Sequence, residues 1–298
     1  MNDEFVIKTE GLTKIFPDGK GVKDINLKIR KGAIYGLLGP NGAGKTTVMK
    51  TLLGLLQPTR GIGKILGCNI GSNSPSLSKV GSLIEGPSLY GHLTGRENLE
   101  VIRRIIGAPR NRVSLVLELV SLEEHSDKRV LDYSLGMKQR IGLAIALLND
   151  PEVLILDEPG NGLDPAGSID LGGILKNLSR EGKTILISSH LLHDIEQIAT
   201  DVGIMCDGIL RHQGKVSDDK NCNIVSFKIQ CENQAKAIES LNGNGWNAVK
   251  ICEKWIELKM VKESVPLFFS SIGVLGIEIN KIKESNDSLE RLYFEVTN

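Results

Sequence analysis

The segment Gly39–Thr47 has residue types and a spacing that suit the binding of phosphate groups. It reads GPNGAGKTT and fits the pattern G-x-x-x-x-G-K-[ST]. Glycines let the backbone curl tightly and approach an anion closely, so that N–H groups point inward. Lys45 can then reach the terminal phosphates, and the Thr46 hydroxyl can bind Mg²⁺. The predicted nucleotide-binding residues of this loop are Gly39, Pro40, Asn41, Gly42, Ala43, Gly44, Lys45, Thr46 and Thr47.

The segments on either side of this loop support the prediction. Residues 33–38 are apolar enough for a buried strand, and the residues after Thr47 place Val48, Leu52 and Leu56 at a helical period. A strand, a glycine-rich loop and a helix in this order aim the N-terminus of the helix at an anion. Phe16, upstream of the loop, is an aromatic side chain that could stack on a purine ring.

Polar residues follow two further apolar segments, 153–156 and 184–187. The first is followed by Asp157 and Glu158, and the second by Ser188, Ser189 and His190. Fully apolar strands separated by helices predict a parallel sheet that is covered on both faces, and ligands gather at the carboxyl ends of such strands. We therefore expect Asp157 to hold Mg²⁺ and Glu158 to accept a proton from an attacking water. We expect His190 to hydrogen-bond the terminal phosphate or the same water.

A second anion site is predicted at the start of another helix, in the segment SLGMKQR of residues 134–140. Ser134 is placed near the N-cap, where free N–H groups and the helix dipole favour an anion. This segment lies in a stretch, about residues 88–150, whose periodicity is helical throughout. One nucleotide cannot easily touch both anion sites within one chain if this helical insert projects away from the sheet.

Composition limits the classes of protein to consider. The chain has 298 residues, with Lys plus Arg equal to Asp plus Glu at 36 each, which argues against a nucleic-acid partner held by a basic face. Its five cysteines include no C-x-x-C pair, as expected for a reducing compartment. The acidic N-terminus lacks the order of a signal peptide, and no apolar run approaches the ~18 residues that span a bilayer. Any work on a membrane is therefore expected to pass through a partner.

The pattern of elements predicts two domains. Residues 1–216 read as an α/β domain with the helical insert at about 88–150. A polar segment follows, and residues 217–298 show the order βαββαβ of a small α+β accessory domain with an added helix. Packing or assembly is the simpler role for this accessory domain, and ligand sensing is the alternative.

Five motifs together resemble the ATP-binding subunit of ABC transporters, over about residues 5–215. They are GPNGAGKTT (39–47), SLGMKQR (134–140), LILDEP (154–159), NGLDP (161–165) and His190. The resemblance implies a P-loop fold with an antiparallel β subdomain, and a head-to-tail dimer that buries two ATP molecules. It implies that the signature segment of one copy contacts the ATP of the other, that Asp164 couples the two sites and that Phe16 stacks on adenine. The signature residues are Ser134, Leu135, Gly136, Met137, Lys138 and Gln139.

This chain departs from the family pattern at three positions, of which the first is Phe16, where the family often has Tyr. Leu135 stands where the signature usually has Gly, and Glu85 stands where a Gln normally touches Mg²⁺. We therefore predict Glu85 as a metal ligand beside Thr46 and Asp157. The segments around Glu85 and at 288–294, together with SLGMKQR, resemble the bacitracin-resistance and lantibiotic-immunity exporters.

This narrower resemblance implies an ATPase, with ATP and Mg²⁺, that works with a membrane permease on the cytoplasmic face of the membrane. The loop at 85–98, with Tyr90 and His92, is the expected contact with that permease. The implied outcome is export of a peptide antibiotic. Two alternatives stay open. One is the ATPase of another ABC-2 type exporter, and the other is a non-transport ATPase of DNA repair, which would normally carry long coiled coils.

Overall fold

The computed structural model describes residues 4–216, 224–250, 255–273, 277, 279–285, 289, 293 and 296. Its contacts divide the chain into two compact units, residues 1–216 with 293–298, and residues 217–292. The sequence analysis assigned 217–298 to one domain, whereas the contacts group Tyr293 with the first unit. Tyr293 is partly buried there, and this burial raises the pKa of its hydroxyl.

The first unit contains two sheets and a set of helices. In chain order its strands are β1 (Phe5–Ile15), β2 (Gly21–Ile25), β3 (Lys28–Arg30), β4 (Ile34–Leu38), β5 (Arg60–Ile65), β6 (Cys68–Asn69), β7 (Val80–Leu83), β8 (Val153–Asp157), β9 (Thr184–Ser189), β10 (Asp201–Cys206) and β11 (Ile209–Lys215). Its α-helices are α1 (Lys45–Leu52), α2 (Gly95–Ile106), α3 (Arg112–Leu119), α4 (Leu135–Leu147), α5 (Pro165–Arg180) and α6 (Leu192–Ile198).

The core sheet has the strand order β11-β10-β4-β9-β8-β7 and is parallel except for the pairing of β10 with β11. Every residue of β4 and of β8 is buried, because helices cover both faces of a parallel sheet. The carboxyl ends of β4, β9 and β8 therefore lie side by side at one edge. This confirms the predicted mostly parallel core.

The antiparallel sheet has the order β2-β1-β5-β6, with β3 also paired to β1. The alternation of Ile25, Leu27 and Ile29 predicts one strand over these residues, and this is wrong: the ladder is interrupted between β2 and β3. Asp24 has a left-handed φ of 53°. Thr9 Oγ1 then donates to the carbonyl of Ile25 at 2.7 Å and accepts from the N–H of Leu27 at 2.8 Å. A side chain of β1 replaces ladder hydrogen bonds at this break.

Helices α2, α3 and α4 form the helical insert between β7 and β8 and pack against one another. Thr94 and Glu97 form a reciprocal capping box at the start of α2. The buried side chain of Asn98 holds the preceding loop, bonding both the N–H and the carbonyl of Tyr90. Within the described residues, no helix has the length and apolar character needed to cross a membrane.

The second unit has the predicted βαββαβ order. Its elements are β12 (Ile224–Cys231), α7 (Gln234–Gly243), β13 (Asn247–Lys250), β14 (Ile256–Val261), α8 (Val265–Ser271) and β15 (Ile279–Ser285). The strand order is β13-β14-β12-β15, and every pairing is antiparallel. Phe227, Trp246 and Phe268 pack in its core, with the rings of Trp246 and Phe268 5.3 Å apart. The helix expected at 288–296 falls mostly outside the described residues.

Candidate functional site

The loop from Gly39 to Gly44 joins β4 to α1, and its backbone takes conformations and close approaches that require glycine. Gly44 is the N-cap of α1 with φ 98°, and a Cβ there would lie 2.4 Å from Val22 Cγ1. Gly42 has φ 85°, also in the left-handed region. Pro40, Asn41 and Gly42 are exposed, Ala43 is buried, and Thr47 lies in the first turn of α1. The N-terminus of α1, which follows this exposed loop, can therefore offer its N–H groups to an anion.

Lys45 is fixed by three oxygen atoms around its amine. Nζ donates to the carbonyl oxygens of Gly39 at 2.8 Å and Pro40 at 3.3 Å, and lies 3.5 Å from Glu158 Oε1. The side chain is only 5% exposed. A buried cation needs anionic or strongly polar partners, and phosphate oxygens are both anionic and strongly polar. The structure thus places Lys45 as predicted, between the loop and the end of β8.

Asp157 joins the phosphate loop to the core sheet. Thr46 Oγ1 donates to its Oδ2 at 2.7 Å, and Ser188 Oγ donates to its Oδ1 at 2.6 Å. In the part of the chain that the structure describes, no three His, Cys, Asp or Glu side chains converge as a metal cage. The pair of Thr46 hydroxyl and Asp157 carboxylate fits Mg²⁺, which usually takes one or two protein oxygens together with phosphate oxygens and water.

Glu158 follows Asp157 with an unusual backbone that turns its side chain toward Lys45 and His190. Its φ is 46°, a left-handed value that is uncommon for a residue other than glycine. Its N–H donates to Ser188 Oγ at 2.9 Å, and its Oε2 lies 2.9 Å from His190 Nδ1. A proton on Nδ1 makes this a hydrogen bond to the carboxylate and leaves Nε2 as the other polar atom of the ring. The carboxylate thus links Lys45 to His190.

Ser188 is a site residue that the sequence analysis did not select. It is fully buried at the end of β9, opposite Asp157 on β8. Its hydroxyl donates to the Asp157 carboxylate and accepts from the Glu158 N–H, so it fixes both acidic residues. The available signal in the sequence was a small hydroxyl side chain at the end of an apolar strand. The partners of that hydroxyl depend on the register between the two strands, so the sequence alone did not identify them.

Glu85, predicted as a metal ligand beside Thr46 and Asp157, pairs with a lysine of α1 in this structure. Its Oε1 accepts from Lys50 Nζ at 2.6 Å, and its side chain is 66% exposed. Its φ of 58° is left-handed, like that of Glu158. The ion pair with Lys50 competes with any metal for this carboxylate, which the sequence pattern did not reveal.

Phe16 stands at the turn that follows β1 and is half-buried. Its N–H donates to the carbonyl of Lys20 at 2.8 Å, which closes the turn. Lys14 Nζ lies 5.6 Å from the centre of the ring, within the range of a cation–π contact. Stacking of Phe16 on adenine stays a prediction.

The signature segment forms the start of α4. Ser134 is the N-cap, and its Oγ accepts from the N–H of Met137 at 3.2 Å. The preceding Tyr133 donates to the carbonyl of His125 at 2.7 Å, and burial raises the pKa of this hydroxyl. Gln139 Oε1 is buried and has no hydrogen-bond partner among the described residues. Ser134 and Leu135 are exposed, whereas Gly136 to Lys138 are half-buried.

Asp164 caps the next helix. Its Oδ1 accepts from the N–H of Gly167 at 2.9 Å at the start of α5. Two turns connect it to Glu158, because the N–H of Asn161 donates to the carbonyl of Glu158 and that of Leu163 to the carbonyl of Gly160. The carboxylates of Glu158 and Asp164 therefore stand at the two ends of one short, hydrogen-bonded loop.

A cavity of about 360 Å³ opens beside Glu158 and His190, between this loop and α6. Its lining is largely apolar and includes Leu163, Ile169, Leu171, Leu191 and Ile195. Ile169 is 66% exposed and Leu191 48% exposed. An apolar wall does not suit the binding of phosphate groups, so the loop at 39–47 is the better candidate for a phosphate site.

The chain is similar to known proteins over most of its length. The ABC transporter family model matches residues 22–161. The chain is 42% identical over 293 residues to the bacitracin transport ATP-binding protein BcrA of Enterococcus faecalis, covering 96% of this chain and 94% of that protein. This chain belongs to the ABC transporter family.

Two other relatives support the family assignment. The lantibiotic transport ATP-binding protein SrtF of Streptococcus pyogenes is 40% identical over 203 residues, which cover 68% of this chain and 88% of that protein. Among solved structures, the ATP-binding cassette MJ0796, a dimer in a post-hydrolysis state with ADP and Pi, matches with a TM-score of 0.64 and 25% identity. It covers 70% of this chain and 98% of its own. The predicted fold class of an ABC ATPase is confirmed.

Proposed function

We propose that this chain is the ATP-hydrolysing subunit of an exporter that expels a peptide antibiotic of the bacitracin or lantibiotic type. The observation that carries the catalytic part is the contact network at one sheet edge, in which Glu158 lies between Lys45 and His190. The cargo class is supported by the relatives. The similarity to BcrA extends over both units, whereas that to SrtF covers about the length of the first unit.

Each residue of the network has a distinct role in this proposal. The loop at 39–47 binds the phosphates of ATP, and Lys45 neutralises part of their charge. Thr46 and Asp157 would hold Mg²⁺, which would supply further positive charge to the phosphate oxygens. Glu158 accepts a proton from the attacking water. His190 orients the Glu158 carboxylate through Nδ1 and can hydrogen-bond the terminal phosphate.

We propose that two copies associate head to tail around ATP. Leu135, Ile169 and Leu191 are large apolar side chains that are 51%, 66% and 48% exposed, and the last two line the cavity beside Glu158. Apolar surface next to a catalytic carboxylate is costly to leave in water and marks a surface that a partner covers. In the dimer, the segment at 134–139 reaches the nucleotide of the other copy, and Asp164 couples the two sites.

The membrane partner is proposed to bind at the loop at 85–98. Tyr90 is 52% exposed, its ring is 6.3 Å from that of His92, and Asn98 fixes the backbone of the loop. A rigid loop that presents an aromatic side chain suits a protein interface. The complex would place this chain at the cytoplasmic face of the membrane, bound to a permease.

The two alternatives share the site but differ in what it drives. Another ABC-2 type exporter would use the same residues for a different cargo. A DNA-repair ATPase would carry long coiled coils, but the longest described helix, α5, has 16 residues. The equal numbers of basic and acidic residues also give no support to a nucleic-acid partner.

The catalytic role is tested by Glu158→Gln. ATP should still bind, and turnover should fall by ~10² or more, as expected when a general base is lost. Glu152→Gln is the matched control, because Glu152 is an exposed glutamate just before β8 that pairs with Lys79. Turnover that stays normal in Glu158→Gln would remove this residue from its proposed role.

The cargo is tested in a sensitive bacterium that expresses this chain with the permease that co-purifies with it. We expect the inhibitory concentration of bacitracin or of a lantibiotic to rise, and the rise to disappear in Glu158→Gln. A complex that forms and hydrolyses ATP without protecting against either class would favour the alternative exporter.

A further inference from the structure

The side chain of Leu135 lies directly against the backbone of Gly162. A Cβ on Gly162 would stand 2.3 Å from Leu135 Cδ2, closer than real Cβ contacts allow. Gly162 also has a left-handed φ of 75°. Only glycine leaves this space, and the leucine fills it. The start of α4 is therefore fitted to the loop that follows Glu158.

Two further contacts join the same elements. Leu163 Cδ2 lies 3.4 Å from the position that a Cβ on Gly136 would take, an ordinary packing distance. One turn later, Arg140 Nη2 donates to Asp170 Oδ2 on α5 at 2.8 Å. The leucine of each segment thus faces a glycine of the other, and an ion pair holds the helices behind them.

The loop between Glu158 and Asp164 is short and internally bonded. The N–H groups of Asn161 and Leu163 donate to the carbonyls of Glu158 and Gly160, at 3.0 and 3.1 Å. Gly162 lies within the second turn, four residues after Glu158. A shift of the loop at Gly162 is therefore carried by these turns to the backbone of Glu158, whose left-handed φ leaves it little freedom to absorb the shift.

We infer that Leu135 is a positioning residue for Glu158 of its own chain, acting through Gly162. This inference rests on the proposed function, in which Ser134 engages the nucleotide of the second copy. When the start of α4 docks on that nucleotide, the contact between Leu135 and Gly162 sets the loop, and the loop sets the Glu158 carboxylate. Each copy thereby links the nucleotide that its signature segment touches to the nucleotide that it hydrolyses.

A double-mutant cycle of Leu135→Ala and Gly162→Ala tests the contact, with kcat for ATP hydrolysis and the nucleotide Kd of the single chain as readouts. Leu135→Ala should lower kcat by about threefold or more, as for residues in direct contact, and leave the nucleotide Kd unchanged. Gly162→Ala as a single change should lower kcat by more than Leu135→Ala does, because its new Cβ collides with the Leu135 side chain. The double variant should recover part of that loss, since the collision is gone. The left-handed strain at Gly162 is present in both backgrounds and cancels in the cycle.

Leu115→Ala is the matched control, because Leu115 is an exposed leucine on α3 of the same helical insert. If the fold-losses in kcat of the two single variants simply multiply in the double variant, the inference is overturned, because Leu135 would then act independently of Gly162. A kcat for Leu135→Ala equal to that of the control would also overturn it. If Gly162→Ala does not fold, Leu135→Met, which keeps a long apolar side chain against Gly162, should recover most of the kcat lost in Leu135→Ala, and a kcat no higher than that of Leu135→Ala would overturn the inference.

The inference and the proposed function fail in different ways. If Glu158→Gln keeps normal turnover, the proposed function fails whatever the cycle shows. If Glu158→Gln behaves as proposed but the Leu135 and Gly162 effects are independent, only the inference fails.

Discussion

Replacing Ser188 by alanine should weaken both the fold and the catalytic site, because one hydroxyl serves two acidic residues. Ser188 Oγ donates to Asp157 Oδ1 at 2.6 Å and accepts from the N–H of Glu158 at 2.9 Å, and the residue is fully buried. A hydrogen bond to a charged group contributes about 1.5–3 kcal/mol and a neutral one about 1 kcal/mol. The variant loses both hydrogen bonds and leaves the buried Asp157 carboxylate oxygen and the partly buried Glu158 N–H without these partners. We expect the free energy of unfolding of the first unit to fall by about 3 kcal/mol.

The assay can separate the two units. Both tryptophans, Trp246 and Trp255, belong to the second unit, so tryptophan emission follows its unfolding, whereas far-UV circular dichroism follows mostly the larger first unit. In urea, the dichroism transition of Ser188→Ala should move to lower concentration and the emission transition should stay in place. Turnover should drop by about tenfold, since the backbone of Glu158 loses its anchor.

Ser179→Ala is the matched control for this prediction. Ser179 Oγ donates to the carbonyl of Gly32 at 2.8 Å, a single neutral hydrogen bond in the same unit. Its removal should cost about 1 kcal/mol and leave turnover unchanged. A loss for Ser188→Ala no larger than for this control would refute the argument that Ser188 supports Asp157 and Glu158 together.

Two further predictions concern the metal and the phosphate loop. Glu85→Gln should weaken the dependence of turnover on Mg²⁺, as expected for a metal ligand, and an unchanged Mg²⁺ titration would instead assign Glu85 to its ion pair with Lys50 alone. Gly44→Ala should lower nucleotide affinity by more than Gly42→Ala does. Both glycines have a left-handed φ, but only a Cβ at residue 44 would lie 2.4 Å from Val22 Cγ1. Equal affinities by calorimetry would show that backbone strain alone matters.

The sequence was sufficient for the features that depend on local pattern. Fully apolar strands that end on polar residues predicted the shared edge where Lys45, Asp157 and His190 meet, because parallel strands bring their carboxyl ends together. Ser134 was placed near an N-cap from its position before an apolar helical period, and it is the N-cap of α4.

The features that escaped prediction depend on contacts between distant segments. The role of Ser188 follows from the register that sets it opposite Asp157. The partner of Glu85 is Lys50, a lysine of α1 that nothing in the sequence joins to residue 85. The break between β2 and β3 arises from Thr9 of a different strand, which takes the place of ladder hydrogen bonds.

We propose that ATP is held between two copies of the chain, each of which contributes a signature helix to the nucleotide site of the other. Glu158→Gln should bind ATP without turning it over, and it should therefore trap this state. Small-angle scattering or sedimentation with saturating ATP and Mg²⁺ should give the mass of two chains, and the variant without nucleotide should give the mass of one. A variant that stays a single chain at saturating nucleotide would contradict the account.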